Sequence, residues 1–144
     1  MTSAEQHERG LERLKELAGP NAEAIVEQVT ALAPDLGRWI VDFVFGEVYS
    51  RPGLDLRTRQ IVNVAALTAL GTATPQLEVH LNGALNVGVR QEELIEIILQ
   101  LAVYAGFPAS LNGIAALERV LAAREAAATT PGAAATTPPP APSA

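Results

Sequence analysis

Apolar residues recur every three to four positions through most of the chain, and no stretch alternates apolar and polar residues as a half-buried strand does. Residues 4–18 carry Leu11, Leu14, Leu17 and Ala18 at helical spacing among Glu, Arg and Lys, and Gly19-Pro20 stops that helix. Asn21 is placed to cap a second helix over 22–32, with Ile25, Val26, Val29 and Leu32 turned inward. After Ala33-Pro34 a third helix spans 35–49 and holds Leu36, Trp39, Ile40, Phe43, Val44 and Phe45, aromatics that this spacing assigns mostly to the core. Arg51-Pro52-Gly53-Leu54 has the proline and glycine of a type II turn, and Asp55 is placed to cap a helix over 56–70.

The second half reads with the same period. Thr74 is a candidate N-cap, Pro75 suits the first helical position, and Gly88 suits the left-handed residue that closes a helix. A helix over 92–105 opens with Glu92 and Glu93 at the positive end of its dipole, and a last one over 108–123 turns Leu111, Ile114, Leu117, Val120 and Leu121 inward. The segments from Ile61 to Leu70 and from Leu94 to Ala105 are apolar on nearly every face. Two such helices are hard to bury in so small a monomer, which predicts a homo-oligomer. From residue 126 the chain is rich in Pro, Ala and Thr without a large apolar side chain, too little to offset the entropy of ordering. The expected organisation is one all-α domain over 1–125, a compact bundle of about seven helices, and a disordered tail over 126–144.

Composition narrows the chemistry. The 144 residues carry a net charge of -6 with scattered arginines, which argues against a nucleic-acid binder. Without cysteine there are no disulfides, thiolate metal sites or Cys nucleophiles. The polar first ten residues lack the apolar core of a signal peptide, and the apolar runs are too short and too interrupted to span a bilayer. The expectation is a cytoplasmic protein with no membrane partner. Two histidines are present. His7 lies in a charged first turn and reads as a solvated surface residue. His80 lies between the two most apolar segments and reads either as a group titrating near neutral pH or as a core or interface histidine with a satisfied hydrogen bond. No second His or Cys stands near it to complete a zinc site, so no metal is expected. Arg57 and Arg59 oppose the dipole of their helix. Bound anions would explain them, and so would salt bridges to Asp55, Glu47 or another helix.

Four pieces taken together resemble one family: Gly46-Glu-Val-Tyr-Ser-Arg-Pro-Gly-Leu-Asp-Leu-Arg-Thr-Arg59, His80-Leu-Asn-Gly-Ala-Leu-Asn-Val-Gly88, Glu92-Glu-Leu-Ile-Glu96 and Gln100-Leu-Ala-Val-Tyr-Ala-Gly-Phe-Pro-Ala109. Their order and spacing are similar to those of the carboxymuconolactone decarboxylase family, over about residues 5–123. The resemblance implies an alkylhydroperoxidase D-like all-α fold, a homo-oligomer (trimer or hexamer) and no cofactor. The peroxidase branch of that family carries a CxxC pair where Ala73 and Gln76 stand, and a glutamate where Gln60 stands. With no thiolate to attack a peroxide, that chemistry is excluded. The other branch decarboxylates 4-carboxymuconolactone in aromatic catabolism by the β-ketoadipate pathway, and its pattern is matched at Glu47, Arg51, His80 and Tyr104. It usually has Trp at Tyr49, often Arg at Asn82 and Asn at Val87.

The resemblance thus implies a decarboxylase of a small carboxylated lactone. His80 would be its acid/base or oxyanion group, and Glu47 would orient His80 or pair with an arginine. Arg51 would anchor a carboxylate, and Tyr49 and Tyr104 would face the substrate. Two other readings stand beside it: a family member turned to another small-molecule reaction, and a non-catalytic oligomeric binding protein.

Overall fold

The computed structural model describes residues 2–129, and every described element is helical. Helix α1 (Ser3–Ala18) begins with a reciprocal cap, in which the Thr2 hydroxyl accepts from the Glu5 amide and the Glu5 carboxylate accepts from the Thr2 amide. Gly19, at φ 58°, ends it. Asn21 does not cap the next helix through its side chain. Residues Gly19–Asn21 form a 3₁₀ turn that runs directly into α2 (Ala22–Leu32). Leu32 is 92% exposed rather than inward.

Helix α3 (Pro34–Trp39) passes into a π-helix (Ile40–Val48), whose wider turn is closed by the Tyr49 amide donating to the Val44 carbonyl at 2.8 Å. The change of pitch corrects the expectation that this aromatic cluster is core. Val41 and Phe45 face inward, while Trp39 and Phe43 are 56% and 60% exposed. Helix α1 crosses the π-helix closely, because Gly10 has no side chain: a Cβ there would collide with the Val41 carbonyl. Two side chains of α1 also serve π-helix carbonyls. Gln6 Nε2 donates to Asp42 O and Arg9 Nε to Gly46 O, each at 2.9 Å.

The turn at Arg51–Leu54 is not type II, since Gly53 does not have the positive φ that type requires. Its carbonyls are held from the next helix: Arg59 donates to Arg51 O at 3.0 Å and to Leu54 O at 3.2 Å. Helix α4 (Leu56–Leu70) is capped as expected, with Asp55 Oδ1 accepting from the Thr58 amide at 2.6 Å. Helix α5 (Thr74–Asn86) starts without a side-chain cap, because Thr74 is already its first residue, and Pro75 sits in the first turn. Gly88, at φ 86°, closes it, and the Val89 amide donates to Ala84 O at 2.9 Å.

Helix α6 (Gln91–Tyr104) is tied back by Glu93, which accepts from the Arg90 amide at 2.9 Å and from the Arg57 guanidinium at 2.6 Å. These donors hold the Glu93 carboxyl down to about 2. Helix α7 (Phe107–Thr129) is longer than expected and takes in residues 126–129 of the anticipated tail. The rest of that tail lies outside the described residues. Leu111, expected inward, is exposed.

Two apolar clusters hold the fold. Val64, Leu77, Leu81, Leu94, Ile98 and Leu117 form the larger one between α4, α5, α6 and α7. Leu14, Leu17, Ala22 and Phe45 form the smaller one between α1, α2 and the π-helix. Among the described residues no helix is long and apolar enough to cross a membrane.

Candidate active site

Helix α4 packs along α5, and at this seam α4 presents two amides one turn apart, Gln60 and Asn63. Gln60 is 0% exposed. Its Oε1 lies 2.9 Å from His80 Nδ1 on α5. Asn63 Nδ2 stands 3.5 Å from the same ring nitrogen and donates to the Tyr49 hydroxyl at 2.5 Å. Tyr49 enters from the end of the π-helix. Its ring meets Phe45 edge-on, with centroids 5.0 Å apart, and carries the Arg59 guanidinium 5.9 Å above its own centroid. Three elements of the chain thus converge on one uncharged hydrogen-bonded group with a guanidinium behind it.

Burial sets the protonation states. It pushes the His80 imidazole below its usual range, because the charged form loses solvation. It pushes the Tyr49 phenol up, partly offset by the Asn63 hydrogen bond, the nearby Gln60 amide and the Arg59 charge. The group at neutral pH is therefore a neutral imidazole beside a protonated phenol. The Tyr49 oxygen accepts from Asn63, so its own proton is free to be donated elsewhere. Among the described residues His80 Nε2 makes no hydrogen bond, and it is not one of the sealed unpaired atoms, so solvent can reach it.

Of the residues singled out from the sequence, the structure brings His80 and Tyr49 together. Glu47 makes no hydrogen bond or ion pair among the described residues. Arg51 is exposed at the nearby turn and reaches the site only through its backbone carbonyl, which receives Arg59. Tyr104 is 81% exposed at the end of α6, on an outer apolar face with Val103 and Phe107. The first-turn arginines of α4 divide. Arg57 pairs with Glu93 of another helix, whereas Arg59 holds backbone carbonyls and stacks on Tyr49. Gln60 and Asn63 were not singled out from residue chemistry. Their signal was available: two amides three residues apart on an apolar helix must find buried partners.

A second polar seam lies on the other side of α5, toward α7. Glu78 pairs with Arg119 at 2.7 Å, and Arg124 donates to Asn82 Oδ1 at 2.5 Å and to Asn86 Oδ1 at 2.9 Å. It borders an open groove of about 430 Å³ lined partly by Asn21, Asn82, Asn86 and Arg124.

Comparison with known proteins places the chain in one family. Residues 34–119 match the model of the carboxymuconolactone decarboxylase family. A 4-carboxymuconolactone decarboxylase of Acinetobacter baylyi is 37% identical over 121 residues, covering 83% of this chain and 90% of the relative. A 15.0 kDa protein of Paracoccus denitrificans is 32% identical over 92 residues, covering 63% and 69% of the two chains. A nitrosuccinic acid decarboxylase of Metarhizium robertsii is 27% identical over 125 residues, covering 83% and 87%. With the family model spanning more than half of its length and the Acinetobacter relative aligned over most of both chains, this chain belongs to the carboxymuconolactone decarboxylase family.

Proposed function

We propose that this chain is a decarboxylase that removes CO₂ from a carboxylated butenolide such as 4-carboxymuconolactone, without a cofactor. Two relatives named for decarboxylating small organic acids support the carboxy-lyase class, and the name of the Acinetobacter relative supports the lactone. The observation that carries the reading at the site is the neutral imidazole of His80, open at Nε2, beside a phenol whose proton is free.

The substrate's own chemistry explains why so plain a site suffices. The C–C bond to the leaving carboxylate breaks, and its electron pair passes through the ring double bond to the lactone carbonyl oxygen. That oxyanion is a built-in electron sink. One proton must then reach a ring carbon. His80 takes a proton at Nε2 and delivers it, and its lowered pKa makes the cation a willing donor. Tyr49 donates to the developing oxyanion, with Arg59 behind its ring adding positive potential. The Arg51 guanidinium, which has no protein partner among the described residues, meets a substrate carboxylate. Glu47, partly buried in the π-helix, and Tyr104, exposed at the end of α6, act through a neighbouring subunit.

Assembly belongs to the same proposal. Leu99, Val103, Tyr104, Phe107 and Leu111 on α6 and α7 leave large apolar side chains exposed, as do Leu32, Leu36, Trp39 and Phe43 along α2, α3 and the π-helix. Both are the kind of surface that a second copy covers. Sedimentation that finds only a monomer of 15.1 kDa at micromolar concentration would reject this.

The direct test is CO₂ release from 4-carboxymuconolactone by the purified protein. No turnover of any butenolide acid would overturn the substrate assignment. The Metarhizium relative favours a second reading, a different small carboxylic acid. Turnover of a nitro-substituted or open-chain dicarboxylate in place of the lactone would select it.

A further inference from the structure

We infer that Gln60 is a positioning residue that holds His80 in the tautomer protonated at Nδ1, so that Nε2 is a bare lone pair: a proton carrier and not an oxyanion donor. This rests on the proposed decarboxylase reading for its use, but not for its geometry. A carbonyl oxygen only accepts, so Oε1 of Gln60 at 2.9 Å requires the proton on Nδ1. The amide has no freedom to drift away, because Gln60 is completely buried. Its Nε2 is likewise sealed from solvent and has no hydrogen-bond partner among the described residues. The solvent-open ring nitrogen is then Nε2, which in the neutral ring carries no N–H to offer an anion.

An amide and a carboxylate would act differently here. Gln60 orients the ring without adding negative charge, so it leaves the imidazolium unsupported in a buried site. A carboxylate in its place would stabilise the cation. The other charged or titratable groups around the ring do not supply that charge. On the α4 side stand Tyr49, reached through Asn63, and Arg59 over its ring. On the α7 side Glu78 is spent on Arg119, and Arg124 is held by Asn82 and Asn86. On the α1 side α5 meets the Leu17 side chain at Gly83 and the Leu17 carbonyl at Asn86.

The experiment is nitrogen-15 NMR of the imidazole side chains in full-length protein carrying His7→Gln, which leaves His80 as the only histidine. It needs no substrate, so it can fail separately from the decarboxylase reading. At neutral pH the spectrum is expected to show a neutral ring protonated at Nδ1. Gln60→Glu, which keeps the shape, is expected to raise the titration midpoint by about 1–3 pH units and to carry the pH profile of kcat with it. Gln60→Leu is expected to move the proton to Nε2. A wild-type ring protonated at Nε2 would overturn the inference, as would a midpoint that Gln60→Glu leaves in place. If the leucine variant does not fold, the wild-type spectrum and the glutamate variant still decide.

Discussion

Helix α5 separates two polar seams of opposite character. Toward α4 it presents His80 to Gln60, Asn63 and Tyr49, a group without a carboxylate and with its ring largely removed from water. Toward α7 it presents Glu78, Asn82 and Asn86 to Arg119 and Arg124, in pairs that solvent reaches. His80 and Asn82 are two residues apart, which on a helix turns them to opposite sides. The inner seam has the stronger hold on protonation, because burial penalises charge there. The outer seam has more charge but less leverage, because water screens it.

Substitutions on the two seams can break that contrast. His80→Gln is expected to lower kcat by about 10²–10⁴-fold, measured as CO₂ release, while leaving the fold intact by circular dichroism. A fall of less than tenfold would remove His80 from the chemistry. Tyr49→Phe, which deletes only the donated hydrogen, is expected to lower kcat by about 10²-fold, the lower range for losing one oxyanion donor. An effect confined to KM would make Tyr49 a binding group instead.

The pH dependence of stability sharpens the comparison further. Burial lowers the His80 pKa in the folded state, so its neutral-ring contribution is complete above about 6.5, the unfolded value. It is lost as pH falls from there toward the folded pKa, and then levels off. Glu93 works in a lower window. Its contribution is present above about 4.5 and is lost as pH falls toward about 2. Melting curves of His80→Gln should therefore flatten only the upper window and those of Glu93→Gln only the lower. The smallest effects belong to the outer seam. Arg119→Ala is expected to cost about 0–1 kcal/mol of stability and to leave kcat within about twofold, and added salt should shrink even that difference. A hundredfold loss of activity there would move the site to the wrong side of α5.

Periodicity made much of the fold legible in the sequence. The Asp55 cap, the glycine closure of α5 and the acidic start of α6 stand where residue chemistry placed them. What periodicity does not carry is whether an apolar stripe is covered. Leu32, Trp39, Phe43 and Leu111 lie on correctly assigned helices, yet face outward in this chain. The π-helix was also invisible, since one extra residue per hydrogen-bonded turn leaves no mark in composition. It matters to the site because it precedes Tyr49 and sets the angle at which that ring arrives.

By itself the sequence determined that the chain is helical, that it has no thiol chemistry and that His80 is the only histidine beyond the N-terminal segment. Those properties live in residue types and in spacings within a helix. The tertiary structure alone decided which groups meet that ring. Gln60 and Asn63 lie 20 and 17 positions away, and Tyr49 approaches from a third element. The choice of an amide over a carboxylate at the ring nitrogen, and a burial deep enough to favour the neutral form, arise only when α4, α5 and the π-helix close on one another.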